Sequence, residues 1–205
     1  MCSSDLLNKE FYRNAYVVPN GIDTTVFNPN VPLVPKNGKR LRVLIEGPIT
    51  VPFKGVAVAY TAIEPLDCEI WVVSSAGKPD ANWRVDRFFE AVSHEDMPKI
   101  YSSCDILLKM SRIESFSYPP IEAMACGCAV VVGRVLGSIE YVIDGVNALV
   151  VAPGVVSGAR DAVKRLLEDF ELRTSLVNEG FKTANNWSWG RSYDAMLRVV
   201  SGMSS

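Results

Sequence analysis

Four runs of consecutive apolar residues, Val43-Leu-Ile45, Ile70-Trp-Val-Val73, Ile106-Leu-Leu108 and Val130-Val-Val132, constrain this chain more than any other feature. A strand with one wet face alternates apolar and polar side chains, and these do not alternate. Strands apolar on both faces belong in a parallel sheet covered by helices on both sides. The pattern predicts strands at Arg42–Glu46, Glu69–Ser74, Arg87–Val92, Asp105–Lys109, Ala129–Val132 and Ala148–Val151. Helical spacing lies between them, at Val56, Ala59, Tyr60 and Ile63 after Lys54-Gly55, over about Glu95–Ser102, up to Ala125 and near Ser138–Ile143. The expected fold is α/β, a doubly wound Rossmann-like parallel sheet with helices on both faces. Ser157 to Val200 carries no strand pattern, and Val163, Leu166, Leu167, Leu172, Leu176 and Phe181 suggest two or three closing helices. Upstream, residues 5 to 16 read as the end of a helix, Tyr16–Val18 as a short strand, and the Pro- and Asn-rich stretch to Lys39 as a surface linker. With 205 residues, 48% of them apolar, the chain can bury one substantial core.

Composition excludes several functions. The net charge of −2 arises from 21 basic and 23 acidic side chains spread along the chain, so no basic stripe invites a nucleic-acid backbone. No apolar run approaches the roughly 20 residues of a membrane span, and Met-Cys-Ser-Ser-Asp lacks a signal peptide's basic start and apolar middle. A cytoplasmic location is the expectation. The five cysteines have no metal-ligand spacing, and Cys126 and Cys128 read as buried small residues. Neither Gly-x-Gly-x-x-Gly nor Gly-x-x-x-x-Gly-Lys-Ser/Thr occurs, which removes dehydrogenase and P-loop chemistry. One histidine, His94, cannot build a multi-histidine metal centre, and no Gly-x-Ser-x-Gly elbow presents a nucleophile. The nearest approach to a metal-holding Asp-x-Asp is Asp67-Cys68-Glu69, read as surface polarity.

The positive signal is Glu114-Ser-Phe-Ser-Tyr-Pro-Pro-Ile-Glu122, which runs into Ala-Met-Ala-Cys-Gly and then a β-branched strand. Two carboxylates stand eight residues apart across a loop-to-helix transition, with prolines at the presumed helix start. Loop amides and a helix N-terminus favour phosphate, and glutamates accept hydrogen bonds from sugar hydroxyls. A nucleotide ligand fits that chemistry.

The stretch from Asp105 through Ser111, Glu114 to Gly127, and on through Gly137-Ser-Ile-Glu140 to Asp144-Gly-Val-Asn147 resembles the retaining group 1 glycosyltransferases, also called family 4. Val18-Pro-Asn-Gly-Ile-Asp23, Phe27-Asn-Pro29 and Lys54-Gly55 add to the resemblance. It implies one half of a GT-B fold: the donor-binding C-terminal domain of an enzyme whose N-terminal acceptor domain is missing here. Residues 1–38 would then be interdomain linker and a remnant of that domain, 39–186 the nucleotide-sugar-binding domain, and 187–205 a helix that crosses to the missing one. The resemblance implies that Glu122 binds the ribose of a nucleoside-diphosphate sugar and that Glu114 is the catalytic carboxylate beside the transferred sugar. It implies that Ser115, Phe116, Ser117 and Tyr118 offer backbone N–H groups to sugar and phosphate, and that Lys54 neutralises the departing diphosphate without a metal or other cofactor. His94 would lie near the base and Glu140 near the sugar, with Gly21 and Asp23 facing the cleft. Two departures stand out. Serines flank Phe116 where the family usually has glycines, and Pro48 replaces an arginine, leaving Arg112 or a group of the missing domain to supply a second cation.

Three readings compete. The first is a metal-independent transferase that moves a sugar onto a glycan, lipid or small acceptor, with peripheral membrane association possible through the missing domain. The second is a stand-alone, non-catalytic nucleotide-sugar-binding or regulatory module. The third, a nucleotide-sugar isomerase, asks for further catalytic carboxylates and histidines that this sequence lacks. An orphaned domain would also leave apolar surface around Phe27, Tyr118 and Trp187-Ser-Trp189.

Overall fold

A computed structural model describes residues 16–36, 38 and 40–203. Its elements run β1 (Arg42–Glu46), a 3-10 turn (Pro52–Lys54), α1 (Val56–Ile63), β2 (Glu69–Ser74), β3 (Arg87–Glu90), α2 (Met97–Ser103), β4 (Ile106–Lys109) and α3 (Tyr118–Ala125). They continue with β5 (Ala129–Gly133), a second 3-10 turn (Leu136–Ser138), β6 (Leu149–Val151), α4 (Val156–Glu168), α5 (Phe170–Asn186) and α6 (Trp189–Met203). The six strands form one parallel sheet in the order β3-β2-β1-β4-β5-β6. This is the α/β Rossmann-like arrangement that the apolar runs predict. The chain winds outward from β1 through β2 to β3, then crosses back to β4 on the other side of β1. Loops leaving the C-terminal ends of β1 and β4 therefore diverge, and that divergence opens a crevice where such sheets hold ligands.

Successive strand residues face opposite sides, so each apolar run fills two cores. Val43, Ile45, Ile70, Val72, Ile106, Leu108 and Val131 pack with Ile63 of α1, Val163 and Leu166 of α4 and Leu176 of α5. Leu44, Trp71, Leu107, Val130 and Val132 pack on the other face with Tyr101 of α2, Ile121 and Met124 of α3, and Trp187. Each such aliphatic side chain contributes roughly 1.5–3 kcal/mol, which is why polar residues are tolerated only at the strand ends. Cys128 belongs to this interior: its thiol donates to the carbonyls of Tyr101 (3.0 Å) and Cys104 (3.2 Å), and burial pushes it up to about 12.

Several expected elements differ. Tyr16–Val18 forms no strand; the pairing upstream is a single bridge from Ile22 to Ser188, with the Ile22 N–H on the Trp187 carbonyl at 2.8 Å. The linker is thereby anchored, and its Ile22 and Phe27 are buried. Phe27 and Trp187 are thus interior, whereas Tyr118 and Trp189 do lie exposed. β3 stops at Glu90 because Ala91 turns the chain with φ +49. No helix spans Ser138–Ile143: the Asn147 side chain accepts the Ile143 N–H (2.7 Å) and donates to the Tyr141 carbonyl (2.7 Å), replacing partners a helix would supply. The expected helix end over residues 5 to 16 lies outside the described residues except for Tyr16, which is not helical. Three helices close the C-terminal part, and among the described residues no helix is long and apolar enough to cross a membrane.

Candidate functional site

The crevice is built from the ends of β1 and β4. Gly55 brings the two loops together: it holds φ +69, and a Cβ there would lie 2.1 Å from the Met110 carbonyl oxygen. Only glycine permits that approach, and it sets Lys54 opposite the loop that carries Glu114. Lys54 Nζ lies 2.8 Å from Glu114 Oε2. Lys109, the last residue of β4, turns its ammonium to Glu46, the last residue of β1, at 2.5 Å from Oε2 and 3.0 Å from the main-chain carbonyl. The same ammonium stands 4.0 Å from Glu114 Oε1. Lys54, Glu114, Lys109 and Glu46 thus form a chain of alternating charge across the switch point. Lys109 is 4% exposed.

The second glutamate looks into a different space. Glu122 lies in α3 one turn past its proline-rich start, is 6% exposed, and receives the Tyr101 hydroxyl at 3.3 Å. It lines a cavity of about 440 Å³ with Asp23, Phe27, His94, Tyr118 and Trp189. Burial, then the Glu46 carboxylate, push its carboxyl up to about 7, against the opposing Tyr101 hydrogen bond and Lys109 charge. A half-charged carboxylate in an apolar cavity, with one hydrogen bond, is an acceptor with unused capacity.

The loop between the two glutamates is held from behind. Phe116 packs among Tyr118, Tyr141 and Trp187, with centroids at 4.8, 5.5 and 5.8 Å, so its half-buried ring rests against the core. Gly137 allows the loop to lie flat, because a Cβ there would sit 2.6 Å from the Glu114 carbonyl oxygen. The Ser117 N–H is taken by the Gly137 carbonyl at 2.9 Å, and its own carbonyl accepts from the Tyr141 hydroxyl. Ser117 therefore has no amide to offer, contrary to the sequence expectation, because that amide ties the loop to the second 3-10 turn. Its hydroxyl is buried without a hydrogen-bond partner among the described residues. The amides of Ser115, Phe116 and Tyr118 have no acceptor there either.

The remaining expected residues divide. His94 lines the cavity and meets Phe27 edge-on at 5.1 Å. Gly21 and Asp23 also line it. The Gly21 carbonyl accepts the Trp189 indole N–H (3.0 Å), and Asp23 Oδ1 accepts from the Thr25 N–H (2.9 Å) and hydroxyl (2.6 Å). Glu140 is exposed and does not line the cavity. The Arg112 guanidinium lies beside Gly154, 2.9 Å from where a Cβ would stand. The second cation at the crevice is Lys109, which sequence reasoning placed as the last residue of a strand. The available signal was a pair of charges, Glu46 and Lys109, ending two otherwise apolar runs.

Residues 85–183, which include the Glu114–Glu122 segment, match the family Glycosyl transferases group 1. The D-inositol 3-phosphate glycosyltransferase of Salinispora arenicola is 33% identical over 113 residues, 55% of this chain and 25% of that protein. The chain spans about half or less of the length of the first curated relatives it matches. The structure of Anabaena HepE in complex with UDP-glucose superposes with a TM-score of 0.75 at 18% identity, over 90% of this chain and 57% of the other. The crystal structure of the C-terminal domain of a group 1 glycosyl transferase from Francisella tularensis gives a TM-score of 0.66 at 22% identity, over 81% of this chain and 97% of that one. The fold is that of these glycosyl transferase structures, and from residue 85 to residue 183 the sequence is similar to the group 1 glycosyl transferases.

Proposed function

We propose that the chain is the donor-binding C-terminal domain of a retaining, metal-independent glycosyltransferase that moves a hexosyl group from a nucleoside-diphosphate sugar to a glycan, lipid or small acceptor. The observation that carries this reading is the buried Glu122 carboxylate in the cavity, beside a crevice that holds the Lys54–Glu114 pair. A cavity of this size accommodates a nucleoside. An ionised Glu122 accepts from two vicinal ribose hydroxyls at once, which compensates the burial that otherwise disfavours its charge. Lys54 pairs with the diphosphate once it is seated and stabilises it as it departs; the free amides of Ser115, Phe116 and Tyr118 receive phosphate and sugar oxygens at the start of α3. Glu114 accepts from hydroxyls of the transferred sugar and stabilises positive charge at its anomeric carbon. The neighbour that holds UDP-glucose supports uridine as the base to try first.

Calorimetry with UDP and GDP tests the reading. Binding to one of them is expected, lost in Glu122→Ala and unchanged by EDTA. Failure of the folded chain to bind either nucleotide would refute it. A chain that binds UDP-glucose but never hydrolyses or transfers it, even with added acceptor domain, would instead be a binding module.

A further inference from the structure

Lys54 faces two claims. In the structure it serves Glu114 at 2.8 Å; in the proposed reaction it serves the diphosphate. Glu114, whose side chain is 11% exposed, would then be left anionic in a largely buried site without its closest partner, a costly state. The other flank of the same carboxylate already has a cation. Lys109 Nζ stands 4.0 Å from Oε1, about one ångström beyond a charge-assisted hydrogen bond. It is held there by Glu46 and by the Glu46 main-chain carbonyl, both anchored at the end of β1. The groups around this point are Glu46 from β1, Lys54 from the 3-10 turn, Lys109 from β4, Tyr101 from α2, Glu122 from α3 and Tyr141 behind the loop.

We propose that Lys109 is a positioning residue that takes over Glu114 when the diphosphate draws Lys54 away, so that donor entry leaves the catalytic carboxylate paired and in place. The inference rests on the functional reading above and extends it to residues outside the Glu114–Glu122 segment. Lys109 itself is 4% exposed and held by Glu46, whereas the Lys54 side chain is 25% exposed and meets an entering diphosphate first. Its charge is already matched by Glu46, so its contribution depends on Glu114.

That dependence makes the idea testable by a double-mutant cycle on UDP affinity, measured by calorimetry on the full chain at pH 8, with circular dichroism to confirm folding. Lys109→Met is expected to raise the UDP Kd by about tenfold, the equivalent of one charge-assisted contact, because Lys54 can no longer leave Glu114 cheaply. In a Glu114→Gln background, where Lys54 is not held, the same change is expected to alter the Kd by less than about twofold. Glu46→Gln frees Lys109 for Glu114 and is expected to tighten UDP binding. If Lys109→Met alone leaves Glu46 stranded and the chain unfolded, Lys109→Met with Glu46→Gln is compared with Glu46→Gln alone. An equal loss of affinity with and without Glu114, or no loss, overturns the handover. Absence of UDP and GDP binding by the unaltered chain overturns the functional reading and this inference with it.

Discussion

Glu122→Gln is expected to make the folded chain more stable while abolishing nucleotide affinity, and the size of the gain follows from the carboxylate's surroundings. Its pKa rises from an ordinary 4.5 to about 7, first through burial and then through Glu46. At 1.36 kcal/mol per unit, that rise means the ionised form costs the native state about 3 kcal/mol, undiminished by solvent because the residue is 6% exposed. The sign follows from proton counting. Between pH 4.5 and 7 the native state holds the Glu122 proton and the unfolded chain does not, so this group's contribution to stability falls as pH rises through that window. Below pH 4.5 the cost is absent; above pH 7 it is fully present. Glutamine keeps an acceptor for the Tyr101 hydroxyl and cannot ionise. The variant should match the parent near pH 4.5, gain progressively above it, and level off above pH 7 at about 3 kcal/mol, several degrees in Tm. Urea denaturation at pH 5, 6, 7 and 8 measures the curve. A variant less stable than the parent at pH 8, or a difference that does not change with pH, would show that Glu122 is not a strained carboxylate in the native chain.

Further outcomes follow from the crevice. Lys54→Gln should weaken UDP binding by about ten- to a hundredfold, the loss of one or two charge-assisted contacts to phosphate, with little change in Tm, read by calorimetry and thermal denaturation. Gly55→Ala should cost at least about 3 kcal/mol in urea denaturation, since the added Cβ meets backbone at 2.1 Å in a left-handed conformation. Tyr141→Phe removes the hydrogen bond to the Ser117 carbonyl inside the core and should lower stability by about 1–2 kcal/mol, with UDP affinity falling as the start of α3 loosens.

The sheet was legible in the sequence because four unalternating apolar runs admit few folds other than a covered parallel sheet. The Glu114–Glu122 motif was legible because its spacing spans a helix start, and the structure places Glu122 in the cavity and Glu114 against Lys54. What escaped is instructive in physical terms. Ser117 was expected to offer its amide, but that group is spent on Gly137, a partner 20 residues away that no local pattern reveals. Lys109 was passed over as a cation, yet it pairs with Glu46 and stands 4.0 Å from Glu114 Oε1, because β1 and β4 are neighbours only through the crossover at the switch point. Tyr16–Val18 has strand-forming residues but no sheet edge beside it, and propensity without a partner makes no strand. Short-range chemistry was readable, and charge pairing between strands far apart in sequence was not.

The charge balance of the crevice decides what kind of ligand it can hold. Lys54 and Lys109 face Glu46, Glu114 and an ionised Glu122, so the five groups carry a net negative charge before a diphosphate arrives. Two lysines already matched by carboxylates cannot by themselves draw in a dianion. The remaining favourable field comes from fixed dipoles: the unpaired amides of Ser115, Phe116 and Tyr118, and the eight-residue helix α3 behind them. Dipoles fixed in place lose little to reorganisation, but their field is short-ranged, so they recognise a phosphate already positioned by something else. In the proposed function the cavity around Glu122 supplies that positioning through the nucleoside. Under the proposed function the ribose contact comes first in the order of causes: it brings the phosphates within reach of the amides, the phosphates then compete for Lys54, and Lys109 takes over Glu114 in place. Under the proposed function, affinity is governed by Glu122 more than by either lysine, so one buried carboxylate carries both a burial cost in the empty fold and the ribose contact in the bound one.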